Sequence, residues 1–238
     1  MHLLLFVFLL TLTPGFLLKP GSGEDIIKAM HDRYSATWYR SLTFTQKTVT
    51  HRPDGTTQEA TWYEYMSIPG KLKIDFAPAD SGNGMLFTYD SIFVYQRGAL
   101  RNARPLLHAL LVLGFDVYHA SVEGTVQKLK ALHYNLSIVH EDTWQGRPVY
   151  VVGAEKGDVK TKQFWIDKER LVFVRSLELS PRDNLVSEVQ FNDYQKLGGG
   201  WVSPSVLFLH DGKIATEELY SEMKVDVKLD EKMFEPAR

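Results

Sequence analysis

The sequence predicts a mostly β protein, built on one large antiparallel sheet of about twelve strands. Short segments of alternating polarity follow one another along most of the chain; in residues 71–76, for example, Leu72 and Ile74 alternate with polar side chains. Turn-forming residues, such as those at 53–55 and 211–212, separate these segments at regular spacing. A sheet of this size cannot stay flat, so it must curl or close into a barrel or a sandwich.

The predicted strands form two runs that are separated by a helical region. They are residues 42–49, 56–66, 71–76, 85–89, 92–96, 136–139, 149–152, 160–166, 171–179, 185–194, 202–210 and 214–225. β-Branched and aromatic residues are enriched in these segments, as is typical of strands. Because no low-complexity tract or long linker divides the chain, residues 24–238 are predicted to form a single domain.

Three segments have helical periodicity. Residues 24–39 place their apolar side chains on one face, after a capping residue at Ser22 or Gly23. Residues 106–113, with Pro105 at the first helical position, form a helix that is apolar all round and must therefore be buried. Residues 121–132 form the third helix. We expect the helical insertion to cover the concave face of the sheet, which leaves either a lined cavity or a plugged core.

The N-terminus resembles a secretory leader. Residues 3–12 are almost entirely apolar, and the small residues Gly21, Ser22 and Gly23 follow. This run is too short to span a bilayer, although no basic residue precedes it. We therefore expect residues 1–23 to be a cleaved signal peptide, with an uncleaved N-terminal anchor as the alternative, and the mature protein to be periplasmic or exported.

Several kinds of chemistry are excluded by residue type and spacing. The formal net charge of -2 and the lack of a basic stripe argue against nucleic acid as a partner. The chain has no cysteine, so it has no disulfide, no thiolate metal site and no lipobox. The histidines lack metal-ligand spacing, no G-x-S-x-G motif is present, and Glu217 and Glu218 are predicted to lie on a solvated strand face. We therefore predict no catalytic residue, no metal and no cofactor.

Four segments of the chain resemble motifs of the LolA/LolB superfamily of periplasmic lipoprotein carriers and outer-membrane lipoprotein-sorting proteins. These are residues 42–46, the Pro-Gly step and strand at 69–76, the hairpin at 84–95, and residues 191–194 with the turns that follow them. The resemblance implies an incomplete barrel of about 11–12 antiparallel strands, closed by helices around an apolar cavity for acyl chains. It differs from the family pattern before Pro69, where no arginine stands.

Aromatic and leucine side chains are the candidate ligand-binding residues. The aromatic candidates either line a cavity or fill the barrel core, and the helical candidates form either a displaceable lid or an ordinary plug. The candidates are Trp62, Tyr65, Phe76, Phe87, Phe93, Tyr95, Leu106, Leu107, Leu110, Leu111 and Phe115.

The predicted function is therefore that of a carrier or binding protein for a lipid or a lipoprotein acyl chain, with envelope membrane proteins as further partners, in outer-membrane lipoprotein sorting. Two alternatives remain open. An exposed apolar patch would favour an envelope sensor or interaction module. Polar groups that converge in the cavity with perturbed pKa values would favour a small-molecule enzyme.

Overall fold

One antiparallel sheet dominates the computed structural model, which describes residues 20–236. The strands are β1 (Ser41–His51), β2 (Thr57–Ser67), β3 (Lys71–Phe76), β4 (Gly84–Thr88), β5 (Ser91–Gln96), β6 (Ala99–Pro105), β7 (Val139–Trp144), β8 (Arg147–Val152), β9 (Gln163–Asp167), β10 (Val172–Leu179), β11 (Val186–Asn192), β12 (Gln195–Leu197), β13 (Gly200–Val202), β14 (Ser205–His210) and β15 (Lys213–Val225). Thirteen of them pair in the order β6-β5-β4-β3-β2-β1-β15-β14-β11-β10-β9-β8-β7, and β12 and β13 form a separate hairpin. Since β6 and β7 end this order and do not pair with each other, the sheet does not close, as the resemblance to the LolA/LolB superfamily implies.

The sheet consists of two meanders that meet at its middle. Strands β1–β6 each pair with the next strand along the chain, and the strands from β7 to β15, apart from the β12–β13 hairpin, do the same on the other side. β1 joins the two meanders by pairing with β15, where Leu42 lies opposite Val225 and Thr50 lies opposite Thr216. The centre of the sheet therefore depends on contacts between the two ends of the chain.

The helices pack with one face of this sheet into a single core, and we call that face the inner face. They are α1 (Gly23–Tyr34), α2 (Ala109–Gly114) and α3 (Val122–Ala131). Period-two alternation puts Leu72 and Ile74 of β3 on the inner face, whereas Lys73 and Asp75 lie on the outer face. A capping box at Ser22 begins α1, and the Gly124 amide donates to the Ser121 Oγ at the start of α3.

An aromatic cluster anchors the chain after α2. The rings of Trp38 and Tyr118 stack with their centroids 3.6 Å apart, and the Trp38 carbonyl lies 3.1 Å from the His119 Nε2. Gly199 approaches the loop after α1 so closely that a Cβ added to it would lie 1.6 Å from the Thr37 carbonyl oxygen. The segment that follows α2 therefore packs against the loop that follows α1.

The helical insertion differs from the sequence prediction at its start. Pro105 does not begin a helix; it ends the edge strand β6, and α2 covers only residues Ala109–Gly114. β6 is missing from the predicted strands because every residue in it is exposed, so no apolar alternation marks it. The all-round apolar segment is thus a loop followed by a short helix. The third predicted helix is present as α3.

Two other predicted boundaries were wrong. The first helix ends at Tyr34 rather than Tyr39, because the Thr37 and Trp38 amides both turn back to donate to the Tyr34 carbonyl. Residues 136–138 are not a strand, and β7 begins at Val139. The Leu136 carbonyl instead accepts from the Gly23 amide at 2.7 Å, which ties this loop to α1.

The apolar run 3–12 of the predicted signal peptide lies outside the described residues. Within residues 20–236, no helix has both the length and the apolar character that crossing a bilayer requires.

Candidate functional site

A cavity of about 170 Å³ lies between the inner face of the sheet and α2. Its walls combine apolar side chains from both meanders with a few polar groups. The lining residues are Phe44, Gln46, Trp62, Glu64, Met66, Leu72, Ile74, Met85, Phe87, His108, Leu110, Leu111, Phe115, Phe191, Val206, Phe208, Glu218 and Tyr220. Such a predominantly apolar enclosure with a few convergent polar groups is typical of a small-molecule site.

Strand register places the floor residues in rows. Glu64 of β2 lies between Ile74 of β3 and Phe44 of β1, because these residues are its direct cross-strand partners. In the next row, Gln46 lies between Trp62 and Tyr220 of β15. Cross-strand partners share a face of the sheet, so both rows point toward α2.

The short helix α2 forms the roof of the cavity. Leu110, Leu111 and Phe115 face the cavity and are half-buried, whereas Val112 and Leu113 are buried in the core. Only one side of α2 is therefore buried in the core. The other side presents apolar side chains to the cavity, where a ligand is able to contact them.

A groove of about 320 Å³ lies on the other side of the same helix. Leu106 and Leu107 line this groove, and His108, Leu110 and Phe208 line both the groove and the cavity. These shared residues, from α2, the loop before it and β14, separate the cavity from the groove.

Eight of the eleven predicted site residues lie in or next to the cavity and the groove. Trp62, Phe87, Leu110, Leu111 and Phe115 line the cavity. Leu106 and Leu107 line the groove. The Phe76 ring packs against Trp62, with the ring centroids 5.1 Å apart.

Three predicted residues lie on the outer face, so the expectation that they line the cavity does not hold. Tyr65 has Lys73 as its cross-strand partner, and the Lys73 Nζ lies 5.5 Å from the centre of its ring. Phe93 lies opposite Leu86, and Tyr95 joins Leu86 in an outer pocket. The physical reason is the period of two: Tyr65 is one residue out of phase with Glu64 and Met66, and Phe93 and Tyr95 are out of phase with Ile92 and Val94.

The polar residues of the cavity were not among the predicted site residues, and the prediction that Glu218 lies on a solvated strand face was wrong. Glu218 lies on the inner face of β15, and its Oε2 accepts from the Tyr220 hydroxyl at 2.9 Å. Leu219, which is apolar, is 41% exposed on the outer face. The alternation of polar and apolar residues therefore predicts the wrong inward-facing residues for this strand. For Glu64 a signal did exist, because it shares the phase of Trp62 and Met66.

Burial dominates the electrostatics of the two acids. Burial raises the pKa of Glu218 to about 7. Burial, and then the charge of Glu218, raise the pKa of Glu64 well above its ordinary value. Glu64 is 5% exposed, and no side chain within residues 20–236 forms a hydrogen bond or an ion pair with its carboxyl. The cavity thus contains a buried acid without a partner.

The roof contributes one further titratable group. The His108 ring packs edge-on against Phe87, with the ring centroids 5.4 Å apart. Burial lowers the pKa of His108, and its buried Nδ1 has no hydrogen-bond partner among the described residues. His108 is therefore neutral at physiological pH and does not compensate the acids.

No group of three or more histidine, aspartate and glutamate side chains in the described part of the chain is arranged to hold a metal ion. What the cavity offers is an apolar enclosure with hydrogen-bond acceptors on its floor, an arrangement suited to binding an amphiphile.

Comparison with known structures shows that the chain has a LolA-like fold. A putative outer-membrane lipoprotein-sorting protein domain from Vibrio parahaemolyticus has a TM-score of 0.64 at 14% identity, over 89% of this chain and 95% of that one. A DUF1329 family protein from Desulfovibrio piger has a TM-score of 0.59 at 18% identity, over 90% of this chain and 95% of that one. A LolA superfamily protein from Nitrosomonas europaea has a TM-score of 0.57 at 11% identity, over 88% and 97%.

The chain belongs to a family that is described as "uncharacterized protein", whose family model matches residues 119–238. No curated protein matches the sequence. The class defined by the fold is thus a LolA-like β protein with a cavity under a short helix.

Proposed function

We propose that the protein is a periplasmic carrier or binding protein for a hydrophobic ligand, such as a lipid or a lipoprotein acyl chain. The observation that carries this proposal is the apolar cavity whose roof is the half-buried helix α2. The finer proposal, a task in outer-membrane lipoprotein sorting, is supported by the fold shared with the Vibrio domain.

The volumes of the two spaces indicate how a long ligand is taken up. A cavity of about 150 Å³ holds a molecule of the size of benzene, so the 170 Å³ under α2 is too small for a whole acyl chain. Displacing α2 joins this cavity to the groove of about 320 Å³. Burial of an acyl chain contributes about 0.8 kcal/mol per CH₂ group, which offsets the loss of the contacts made by the leucines of α2.

The first test is lipid analysis of the protein purified from its own envelope. Native mass spectrometry followed by solvent extraction is expected to reveal a co-purifying lipid, and its mass is expected to match that of a lipid in the same envelope. A clean apo protein that takes up no added fatty acid or phospholipid would contradict the proposal.

Leu111→Asp is expected to reduce the uptake of a fluorescent fatty acid at least about tenfold, because it places a charge on the apolar roof of the cavity. Leu219→Asp is the matched control, since Leu219 is exposed on the outer face. Leu111→Trp, which fills the cavity without adding a charge, gives the same expectation if the aspartate variant unfolds. Equal uptake by Leu111→Asp, Leu111→Trp and Leu219→Asp would show that α2 does not cover the binding site.

Each alternative function has one observation in its favour. The half-buried Leu106, Leu107 and Ala109 around the groove form an apolar surface of the kind that an interaction module uses. Glu64 and Glu218 meet the condition for an enzyme, because both have raised pKa values inside the cavity. The extraction experiment separates these functions: a binding protein returns its ligand unchanged, an enzyme converts it, and an interaction module yields none.

A further inference from the structure

We propose that the cavity selects amphiphiles whose polar end is a primary amine, which Glu64 and Glu218 hold at the inner face of the sheet while the apolar chain extends beneath α2. This inference rests on the proposed function, because it names the chemical class of the hydrophobic ligand.

The floor of the cavity carries oxygen atoms that an ammonium group is able to contact. Glu64 on β2 and Glu218 on β15 flank β1, and the Gln46 side chain of β1 lines the same cavity between them. The Gln46 Nε2 donates to the Thr48 Oγ1 at 2.8 Å, and the Tyr220 hydroxyl donates to Glu218. These bonds orient the floor and leave Glu64 without a donor. An ammonium group carries three donors and no acceptor, so it complements such a set of oxygens.

The two acids of the cavity have no cationic side chain beside them among the described residues. Within residues 20–236, neither Glu64 nor Glu218 forms an ion pair, although the chain pairs other buried acids, such as Glu188 with Arg175 and Asp167 with Arg147. A buried carboxyl that is left unpaired destabilises the folded protein. A bound ammonium removes this unfavourable term, whereas a carboxylate or a phosphate at the same place adds like-charge repulsion. The site therefore favours a cation over an anion.

The titratable groups that line the cavity are Glu64 of β2, Glu218 and Tyr220 of β15, and His108 of the loop before α2. His108 is neutral because burial lowers its pKa, so it does not repel an amine. Because burial raises the pKa values of both acids, and the charge of Glu218 raises that of Glu64 further, a cation beside them favours their ionised forms. Binding of an amine is thus expected to release protons near pH 6.5, and its affinity is expected to rise with pH.

The test compares three probes of equal chain length: decylamine, decanol and decanoic acid. Calorimetry on delipidated protein from cells that express the full chain measures the affinity of each probe. Decylamine is expected to bind at least about tenfold more tightly than the other two at pH 7.5, in line with the strength of a charge-assisted hydrogen bond. Titrations in buffers of different ionisation enthalpy at pH 6.5 are expected to show proton release for decylamine only.

Glu64→Gln and Glu218→Gln keep the shape of the acids and remove the charges. Together they are expected to weaken decylamine about tenfold and to change decanol by less than about threefold. Glu217→Gln is the matched control, because Glu217 lies on the outer face of the same strand, where it pairs with His51.

Equal binding of the three probes, or unchanged decylamine binding in the double variant, would overturn the inference and leave the proposed function standing. If none of the probes binds and the extract contains no lipid, the inference and the proposed function both fail.

Discussion

Replacing Arg175 by alanine is expected to lower the free energy of unfolding by about 3–5 kcal/mol, because the change leaves a buried carboxylate without its cation. The Arg175 Nε donates to the Glu188 Oε1 at 2.6 Å, and the two side chains are 13% and 9% exposed. The guanidinium also lies 4.0 Å and 4.6 Å from the ring centres of Trp144 and Trp165. Urea unfolding, followed by tryptophan fluorescence and circular dichroism, measures the loss.

Two further variants separate the contributions at this position. Arg175→Lys keeps the charge but loses the planar guanidinium that lies over both indole rings, so a loss of about 1–2 kcal/mol is expected. Arg175→Met combined with Glu188→Leu removes both charges and is expected to stay within about 1 kcal/mol of the parent protein. A loss below about 1 kcal/mol for Arg175→Ala would show that the pair is solvated and contributes little.

The stability of the ligand-free protein is expected to fall as the pH rises from 5 to 8. Burial raises the pKa of Glu218 from 4.5 to about 7, so the folded state binds more protons than the unfolded state in this range. The stabilisation is complete below pH 4.5 and is lost as the pH rises through 7, and it amounts to about 3 kcal/mol for this shift. Glu64, whose pKa is raised well above 4.5, acts in the same direction.

Thermal unfolding at a series of pH values checks this expectation. Glu218→Gln is expected to flatten the profile above pH 6, whereas Glu217→Gln on the outer face is expected to keep the decline. Asp116 adds a smooth decline around pH 6 in every variant, because burial raises its pKa to about 6 although its Oδ1 accepts from the Gly70 amide at 2.8 Å. A profile that rises with pH, or that is the same in the parent and Glu218→Gln, would contradict the raised pKa of Glu218.

Alternation of polar and apolar residues predicts the strands of this fold where one face of the strand is buried and the other is exposed to solvent. β3 is the clearest case, because Leu72 and Ile74 are buried and Lys73 and Asp75 are not. β6 is exposed on both faces and carries no such signal. Pro105 was misassigned because the end of an exposed strand and the start of a helix both tolerate a proline.

The candidate site was only partly predictable for a related reason. Trp62, Phe87 and the roof residues are apolar, and they lie on the faces that the pattern of apolar residues predicts to be buried. Glu218 faces inward while its neighbour Leu219 faces outward, which reverses the usual relation between polarity and burial. Such a reversal depends on the register of β15 against β1, and that register involves residues far apart in the chain.

The pairing of β1 with β15 has a consequence for biosynthesis. Each meander is built from sequence-local hairpins that are able to form early, whereas the contact between Leu42 and Val225 closes almost the whole chain and is slow to form. Glu64 belongs to the first meander and Glu218 to the last strand, so the complete floor of the cavity exists only once β15 has docked. A nascent chain therefore lacks the complete floor of the cavity, and a ligand that needs both acids must bind after the last step of folding.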